Sequence, residues 1–269
     1  MTNSSHRQIA RAAAVVMITF IASRVLGLAR DIVISAHYGT SDALDAYYAA
    51  SRLNDLIFTL IAGGALASAF IPTFAGYLAR EDETGAWRIT SHIINILLIA
   101  LSIVSLLAAI FAAPIVSGLL GIGFDPAKQE LTASLLRLLL IAPTIFGISG
   151  VVMGILNAKQ NFWLPGLAPS MYNLGMIGGV IFLSATYGIY GLAIGAVAGA
   201  ALHLIVQLPG LIKAGARYSP RLGLRDPGVR QVFRLMAPRV LGLATVQLNF
   251  IVETILASTL GTGAVSALN

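Results

Sequence analysis

The chain has 269 residues, of which 57% are hydrophobic and 10% are charged, with a net charge of +6. Soluble domains carry about 25% charged residues, so this composition excludes an ordinary soluble fold and indicates a membrane protein. The chain contains no cysteine, which excludes disulfide bonds and thiolate metal sites.

Seven apolar runs follow one another along the chain. Each is long enough for a helix to cross about 30 Å of hydrocarbon. Transmembrane strands would alternate apolar and polar residues over about ten positions, whereas these runs are continuous, so we predict an all-α polytopic membrane protein. The predicted spans are residues 12–36, 43–78, 89–120, 131–156, 164–185, 190–212 and 232–260.

The basic residues fall in alternate connections between the spans. They precede span one and lie between spans two and three, four and five, and six and seven, whereas the other connections contain only Lys128. This asymmetry follows the positive-inside rule and predicts a cytoplasmic N-terminus. The charge therefore sets the topology, with attraction to membrane lipids that carry anionic headgroups as a second effect, and it does not indicate a nucleic-acid partner.

Two Asp-Pro pairs predict the starts of helices. Asp125 precedes Pro126, and Asp226 precedes Pro227. In each pair the carboxylate suits the N-cap position and the proline suits the first helical position. The longest polar connection, residues 213–230, contains the second pair and separates span six from span seven.

A short motif occurs twice in the chain. Residues 22–29 read ASRVLGLA and residues 237–244 read APRVLGLA, so seven of the eight positions are identical. Both copies lie in spans that begin on the same side of the membrane, and five complete spans separate them. We therefore predict a duplicated six-helix transporter lobe, which is a known plan for parallel repeats. The chain would contain one lobe (1–215), an inter-lobe linker (216–230) and the first helix of a second lobe (231–269).

Polar side chains form one face on each of the first two spans. At about 100° per residue, the polar residues of the first span lie within a sector of about 120°. They are Ser23, Arg24, Arg30 and Asp31. The second span has a similar polar face, which contains Asp45, Arg52 and Asp55.

Charged side chains at these positions need either an oppositely charged partner or water. Inserting one charged side chain near the bilayer centre costs about 2.5–3.5 kcal/mol of free energy. One interpretation is structural: some side chains extend to the membrane surface, and others form ion pairs such as Arg52 with Asp55. The other is functional: the two faces line a water-filled cavity in which arginines hold an anionic ligand. The spacing leaves both interpretations open.

The remaining intramembrane polar residues carry weaker signals. We expect Arg137 to extend toward the outer surface, and His203 and Gln207 to form hydrogen bonds across helices. The sequence contains no nucleophile elbow, phosphate-binding glycine loop or cluster of metal ligands. We therefore expect no enzyme activity, no metal and no cofactor.

Five segments carry a family resemblance: SRVLGLARD (23–31), DALDAYYAA (42–50), GGALASAFIP (63–72), ILNAKQNFWLPGLAPSMYNLGMIG (155–178) and QLPGLIKAG (207–215). Together they resemble the MurJ (MviN) lipid II flippase family of the multidrug/oligosaccharidyl-lipid/polysaccharide exporter superfamily. The resemblance implies a multi-pass protein of the bacterial cytoplasmic (inner) membrane. Such a protein moves lipid II, an undecaprenyl-linked peptidoglycan precursor, to the periplasmic leaflet by alternating access between two lobes.

The resemblance also implies the candidate substrate-binding residues. Ser23, Arg24, Arg30 and Asp45 match family positions in a central cationic cavity, and Arg52 stands where the family often has a basic residue. These five residues form the candidate site.

Two positions depart from the family pattern. Phe58 stands in place of a cavity arginine, and Gly63 stands in place of a glutamate. These changes leave open a related lipid-linked glycan as the substrate, and a non-transporting scaffold for envelope synthesis is a further alternative. Family members have about twice as many spans, so we expect a fragment whose missing C-terminal lobe is supplied in cis or in trans.

Overall fold

The computed structural model describes residues 2–59 and 64–268, and within these residues the secondary structure is helical, without strands. The helices are α1 (Thr2–Tyr38), α2 (Asp42–Ile57), α3 (Gly64–Ala79), α4 (Glu83–Ile110), α5 (Ala112–Ile115), α6 (Pro126–Leu139), α7 (Ala142–Ala158), α8 (Trp163–Gly178), α9 (Ser184–Tyr187), α10 (Ile189–Ile205), α11 (Leu208–Lys213), α12 (Pro227–Ser258) and α13 (Ala264–Ala267). Two π-helical turns, Val116–Leu120 and Gly179–Leu183, follow α5 and α8.

Six helical segments of the described residues are long and apolar enough to cross a membrane. They are Ala13–Tyr38, Glu83–Ile110, Pro126–Ala158, Trp163–Tyr187, Ile189–Lys213 and Pro227–Ser258. The predicted fold class, an all-α polytopic membrane protein, is confirmed.

The second predicted span, residues 43–78, is not one of these six segments. Its described residues form α2 and α3, of 16 residues each, while residues 60–63 lie outside the described part of the chain. Sixteen residues rise about 24 Å as an α-helix, which is short of the hydrocarbon thickness of about 30 Å. The structure therefore does not describe this predicted span as one continuous helix.

Both predicted N-caps are confirmed. The Asp125 carboxylate accepts hydrogen bonds from the backbone N–H groups of Ala127 and Lys128 at 3.0 and 3.1 Å. The Asp226 carboxylate accepts one from the backbone N–H of Gly228 at 2.8 Å. As a result α12 begins at Pro227, inside the segment predicted as a linker.

The apolar core lies between α2, α3, α4, α6 and α7. Its largest fully buried side chains include Leu44, Phe70, Phe74, Leu97, Leu101, Leu135 and Leu136. Close packing of this kind is what holds helices together in lipid, where burial of apolar surface gives little driving force. The core thereby fixes the positions of α2 and α7, which carry residues of the sites described below.

Helices α1 and α12 lie at the edge of this bundle. In an apolar stretch of 18 residues taken from each helix, 6% of the residues are buried in α1 and 17% in α12. Helix α1 packs mainly on α8, and α12 packs mainly on α3 and α2. The two helices that carry the repeated motif are thus the two that the described residues cover least among the six spans.

Glycines bring α8 and α10 into close contact. A Cβ atom on Gly195 would lie 2.7 Å from the carbonyl oxygen of Gly175 and 2.8 Å from the Cα atom of Gly179. A Cβ atom on Gly199 would lie 2.6 Å from the carbonyl oxygen of Tyr172. Small residues permit this approach of two backbones in a membrane. The contact fixes α8, which forms one wall of the groove described next.

We expect Gly195→Ala to destabilise the folded chain by about 1–3 kcal/mol, because the added methyl group forces the two helices apart. Gly242→Ala is the matched control, since a Cβ atom there meets nothing within 4 Å. Thermal unfolding in detergent, followed by circular dichroism, measures both variants. A Gly195→Ala chain that melts at the wild-type temperature would contradict the packing.

Candidate functional site

An open groove of about 830 Å³ lies between α1 and α8, with a contribution from α7. The polar residues that line it from α1 are Thr19, Ser23, Arg24, Arg30 and Asp31. Its apolar lining includes Val16, Phe20, Leu28 and Met153. The structure thus places three of the five candidate residues, Ser23, Arg24 and Arg30, in one groove.

A close contact between α1 and α8 sets the orientation of the polar face. A Cβ atom on Gly166 of α8 would lie 2.2 Å from the Thr19 Oγ1 atom. The Thr19 hydroxyl is buried and donates to the carbonyl oxygens of Val15 and Val16 within its own helix at 2.9 and 3.1 Å. Because Gly166 has no side chain, α1 can lie against α8 at this point with its polar residues lining the groove.

Arg30 is held in place by two neighbouring side chains. Its Nε and Nη2 atoms donate to the Asp31 carboxylate at 2.9 and 2.8 Å, and its Nη1 atom donates to Asn173 Oδ1 at 3.0 Å. The Asn173 amide in turn donates to the backbone carbonyl of Ser23 at 3.2 Å. Asn173 is a site residue that the polar-face pattern does not reveal, since it lies on another helix 143 residues from Arg30.

Arg24 has a different environment. Its side chain is exposed, and its guanidinium lies over the Phe20 ring at 5.0 Å from the centroid. No carboxylate of the described residues forms an ion pair with it. A cation–π contact leaves the N–H groups of an arginine free to donate. Because Asp31 neutralises Arg30, the uncompensated positive charge of the groove belongs to Arg24.

Asp45 lies outside the groove and is completely buried. Its carboxylate accepts hydrogen bonds from Lys128 Nζ at 2.8 Å and from the backbone N–H groups of Gly263 and Ser266, both at 2.7 Å. The Ser266 hydroxyl also donates to it at 2.5 Å. Lys128 donates in addition to Asp42 at 2.7 Å. We call these five residues the aspartate–lysine cluster; it ties α2 and α6 to the segment that follows α12.

Arg52 contacts α12. Its Nε atom donates to Thr254 Oγ1 at 3.0 Å, and its guanidinium lies 5.5 Å from the centroid of the Phe250 ring. The expectation that Arg52 and Asp45 face Arg24 across one cavity is therefore wrong for this structure. Both side chains of α2 already have partners on α12 or in the segment after it.

The polar faces of α1 and α2 do meet, but at other residues. A second cavity of about 230 Å³, which we call the inner cavity, lies between them. Arg30 and Asp31 line it from α1, and Ser51, Asn54 and Asp55 line it from α2. The helical projection identifies both polar faces correctly, but it cannot determine which residues of the two faces lie opposite each other.

The structure describes one of the two positions that depart from the family pattern, Phe58, and not the other. Phe58 packs its ring on Phe146 at 4.7 Å between centroids, and Phe146 also contacts His203 and Tyr172, both at 5.2 Å. Phe58 thus belongs to an aromatic cluster. Gly63 lies outside the described residues.

The structure also shows the contacts of the other intramembrane polar residues. His203 and Gln207 meet Ser149 of α7 at 2.7 and 2.8 Å, so the predicted hydrogen bonds across helices are confirmed. Arg137 is exposed and donates to the carbonyl oxygen of Ala109 at 3.3 Å.

Comparison with known proteins shows which family the sequence is similar to. The model of the family described as Lipid II flippase MurJ matches residues 34–269. The lipid II flippase MurJ of Burkholderia cenocepacia is 31% identical over 254 residues, which cover 92% of this chain and 49% of that protein. The probable lipid II flippase MurJ of Haemophilus influenzae is 31% identical over 255 residues, which cover 91% of this chain and 50% of that protein. The chain spans about half the length of the curated relatives it matches.

Solved structures give the same result for the fold. A lipid II flippase MurJ in an inward closed conformation aligns with a TM-score of 0.79 and 26% identity, covering 94% of this chain and 52% of that one. The Vibrio cholerae MATE transporter VcmN in its bent form aligns with a TM-score of 0.72 and 15% identity, covering 97% of this chain and 60% of that one. The second likeness concerns the fold alone.

We expect Asp45→Asn to release the segment at residues 263–266. The variant keeps the shape of the side chain but removes the charge, and hydrogen bonds to charged groups contribute about 1.5–3 kcal/mol each. Amide hydrogen exchange at Gly263 and Ser266, followed by mass spectrometry, should become faster by about tenfold or more.

Asp31→Asn is the matched control for this measurement, because it removes a carboxylate that binds Arg30 and lies outside the aspartate–lysine cluster. It should leave exchange at residues 263–266 unchanged. Full protection of these amides in Asp45→Asn would mean that the cluster does not hold the segment.

Proposed function

The chain belongs to the MurJ lipid II flippase family, and from this premise we propose that it supplies the N-terminal lobe of a lipid II flippase. The complete transporter would move this undecaprenyl-linked precursor from the inner to the outer leaflet of the bacterial inner membrane. The distribution of basic residues supports a cytoplasmic N-terminus.

The observation that carries this proposal is the environment of Arg24. An exposed guanidinium without a carboxylate partner is expensive in a membrane protein unless water or an anionic ligand compensates it. Arginine presents several N–H donors in a planar fork that suits phosphate oxygens. We therefore assign Arg24 to the diphosphate of the lipid, with the oriented Arg30 and Ser23 beside it.

The composition of the groove fits an amphipathic ligand. Arg24 offers charge to a headgroup, whereas Val16, Phe20 and Leu28 offer an apolar surface on the same helix. A ligand with a prenyl chain and a phosphorylated headgroup matches both surfaces. This arrangement favours a lipid-linked anion over a soluble one.

Asp45 and Arg52 take a different role in the proposal. Both contact residues of α12 or of the segment after it, which we assign to a second lobe on the basis of the repeated motif. In the proposed division, residues 1–215 form the first lobe, 216–230 the linker and 231–269 the start of the second lobe. The aspartate–lysine cluster then closes one end of the transport path and has to open when access alternates.

A second candidate is a flippase for another lipid-linked glycan. Phe58 favours it, because an aromatic ring stands where the family has a cavity arginine. The two candidates differ in which undecaprenyl-linked intermediate accumulates when the protein is depleted.

We expect Arg24→Ala to abolish complementation when the complete reading frame that encodes this chain is expressed in a flippase-depleted bacterium. Loss of one charge-assisted contact corresponds to about a tenfold to hundredfold weaker interaction. Arg24→Lys should retain partial activity, because the charge stays while the planar fork is lost.

Arg137→Ala is the matched control, because Arg137 is also an exposed intramembrane arginine but lies outside the groove. Growth and the amount of lipid II in the inner leaflet are the measurements. Normal growth of the Arg24→Ala strain at normal protein levels would overturn the assignment.

A further inference from the structure

Asn95 of α4 holds the polar connection between α11 and α12. Its Nδ2 atom donates to the backbone carbonyl oxygens of Ser219 and Arg221, both at 2.9 Å. Its Oδ1 atom accepts a hydrogen bond from the Tyr218 hydroxyl at 2.6 Å. The Asn95 side chain is buried, and its amide thus uses both donor hydrogens and its oxygen on this connection. We call residues 216–226 the strap.

Ser91 binds the strap one helical turn before Asn95. Its hydroxyl oxygen accepts a hydrogen bond from the Ser219 backbone N–H at 3.1 Å and lies 3.3 Å from the carbonyl oxygen of Arg217. Ser91 and Asn95 both belong to the α4 segment that is long and apolar enough to cross a membrane. Buried polar groups on such a helix need hydrogen-bond partners, and the strap backbone supplies partners to both.

Asp226 joins the end of the strap to α4. Its Oδ1 atom accepts a hydrogen bond from the backbone N–H of Gly228 at 2.8 Å and so caps α12. Its Oδ2 atom faces α4, where it lies 3.4 Å from Arg88 Nε and 3.5 Å from His92 Nδ1. One carboxylate therefore caps α12 and connects its first turn to α4.

The first turns of α12 also pack into the core of the preceding helices. Val229 and Val232 are 1% and 0% exposed and belong to the same apolar core as Ile89 of α4. A Cβ atom on Gly228 would lie 2.5 Å from Ile89 Cδ1. The start of α12 is thus attached to α4 by packing as well as by the polar contacts of the strap.

We propose that Asn95 is a positioning residue: it clasps the strap on α4, so that the start of α12 stays with the first lobe while access alternates. A strap that left α4 would remove the partners of the Asn95 amide and the Ser91 hydroxyl at membrane depth, which is unfavourable. The predicted inter-lobe linker is then a fixed part of the first lobe. The inference rests on the proposed function for the movement of the lobes, whereas the clasp itself is measurable in this chain alone.

The first test is amide hydrogen exchange in the purified 269-residue chain in detergent, followed by mass spectrometry. Asn95→Ala should speed exchange at Ser219 and Arg221 by about tenfold or more, because the strap loses its hydrogen bonds to the amide. Ser91→Ala removes the acceptor of the Ser219 N–H and should speed exchange at Ser219. Helical circular dichroism and a single elution peak establish that each variant is folded.

Ser105→Ala is the matched control, because Ser105 is also a buried polar residue of α4 and its hydroxyl has no hydrogen-bond partner among the described residues. It should leave exchange in the strap unchanged. Wild-type exchange at Ser219 and Arg221 in both Asn95→Ala and Ser91→Ala would overturn the proposal.

The second test locks the strap on α4 with a disulfide bond between His92→Cys and Gly223→Cys. A Cβ atom on Gly223 would overlap the His92 ring at its Cγ atom, so the two cysteines lie within reach of each other. The pair is introduced into the complete reading frame with any other cysteine replaced, and lipid II translocation is measured in inner-membrane vesicles. Oxidation should leave the translocation rate unchanged, because a clasped strap does not have to open.

Thr40→Cys with Gly263→Cys is the matched control pair. A Cβ atom on Gly263 would lie 2.9 Å from the Thr40 Cβ atom, and Gly223 and Gly263 both have a positive φ. This bond locks the segment held by the aspartate–lysine cluster, so oxidation should stop translocation and a reductant should restore it.

Loss of translocation on oxidation of the His92→Cys/Gly223→Cys pair, reversed by a reductant, would overturn the proposal. Absence of translocation before oxidation, or continued translocation with the control pair locked, would contradict the proposed function instead. Hydrogen exchange in the strap then still decides whether Asn95 clasps it.

Discussion

Charged side chains inside a membrane need a partner or water, and this requirement organises the structure. Arg30 is paired with Asp31, and Asp45 is paired with Lys128. Arg52 binds a threonine hydroxyl and an aromatic ring. Among the described residues, Arg24 has no carboxylate partner, and it faces an open groove. The groove can therefore be wet, since the alternative would place an unpaired guanidinium against lipid at a cost of about 2.5–3.5 kcal/mol or more.

Close packing elsewhere makes this arrangement possible. The glycine contact between α8 and α10 fixes α8, and the absence of a side chain at Gly166 lets α1 lie against it. Asn173 of α8 then reaches Arg30 and the backbone of Ser23. The orientation of the candidate binding residues thus depends on close helix packing at these glycines.

Local sequence features predicted local structure well. Six of the seven predicted spans, the two Asp-Pro caps and the polar faces of the first two helices follow from hydropathy, proline chemistry and helical period. The partners of these residues could not be predicted in the same way. Lys128 is 83 residues from Asp45, and Gly263 and Ser266 are 218 and 221 residues from it. A helical projection gives the direction of a side chain on its own helix, but it does not give the neighbour that the fold brings there.

The central claim is that the polar face of α1 lines a water-filled groove, and cysteine labelling tests it most directly. The chain has no native cysteine, so Ser23→Cys and Val25→Cys each introduce one thiol, at a groove position and at an exposed apolar position outside the groove. Thiolates form in water and not in hydrocarbon, so a membrane-impermeant methanethiosulfonate should label Ser23→Cys about tenfold faster or more. Equal labelling rates at the two positions in membrane vesicles would contradict the account.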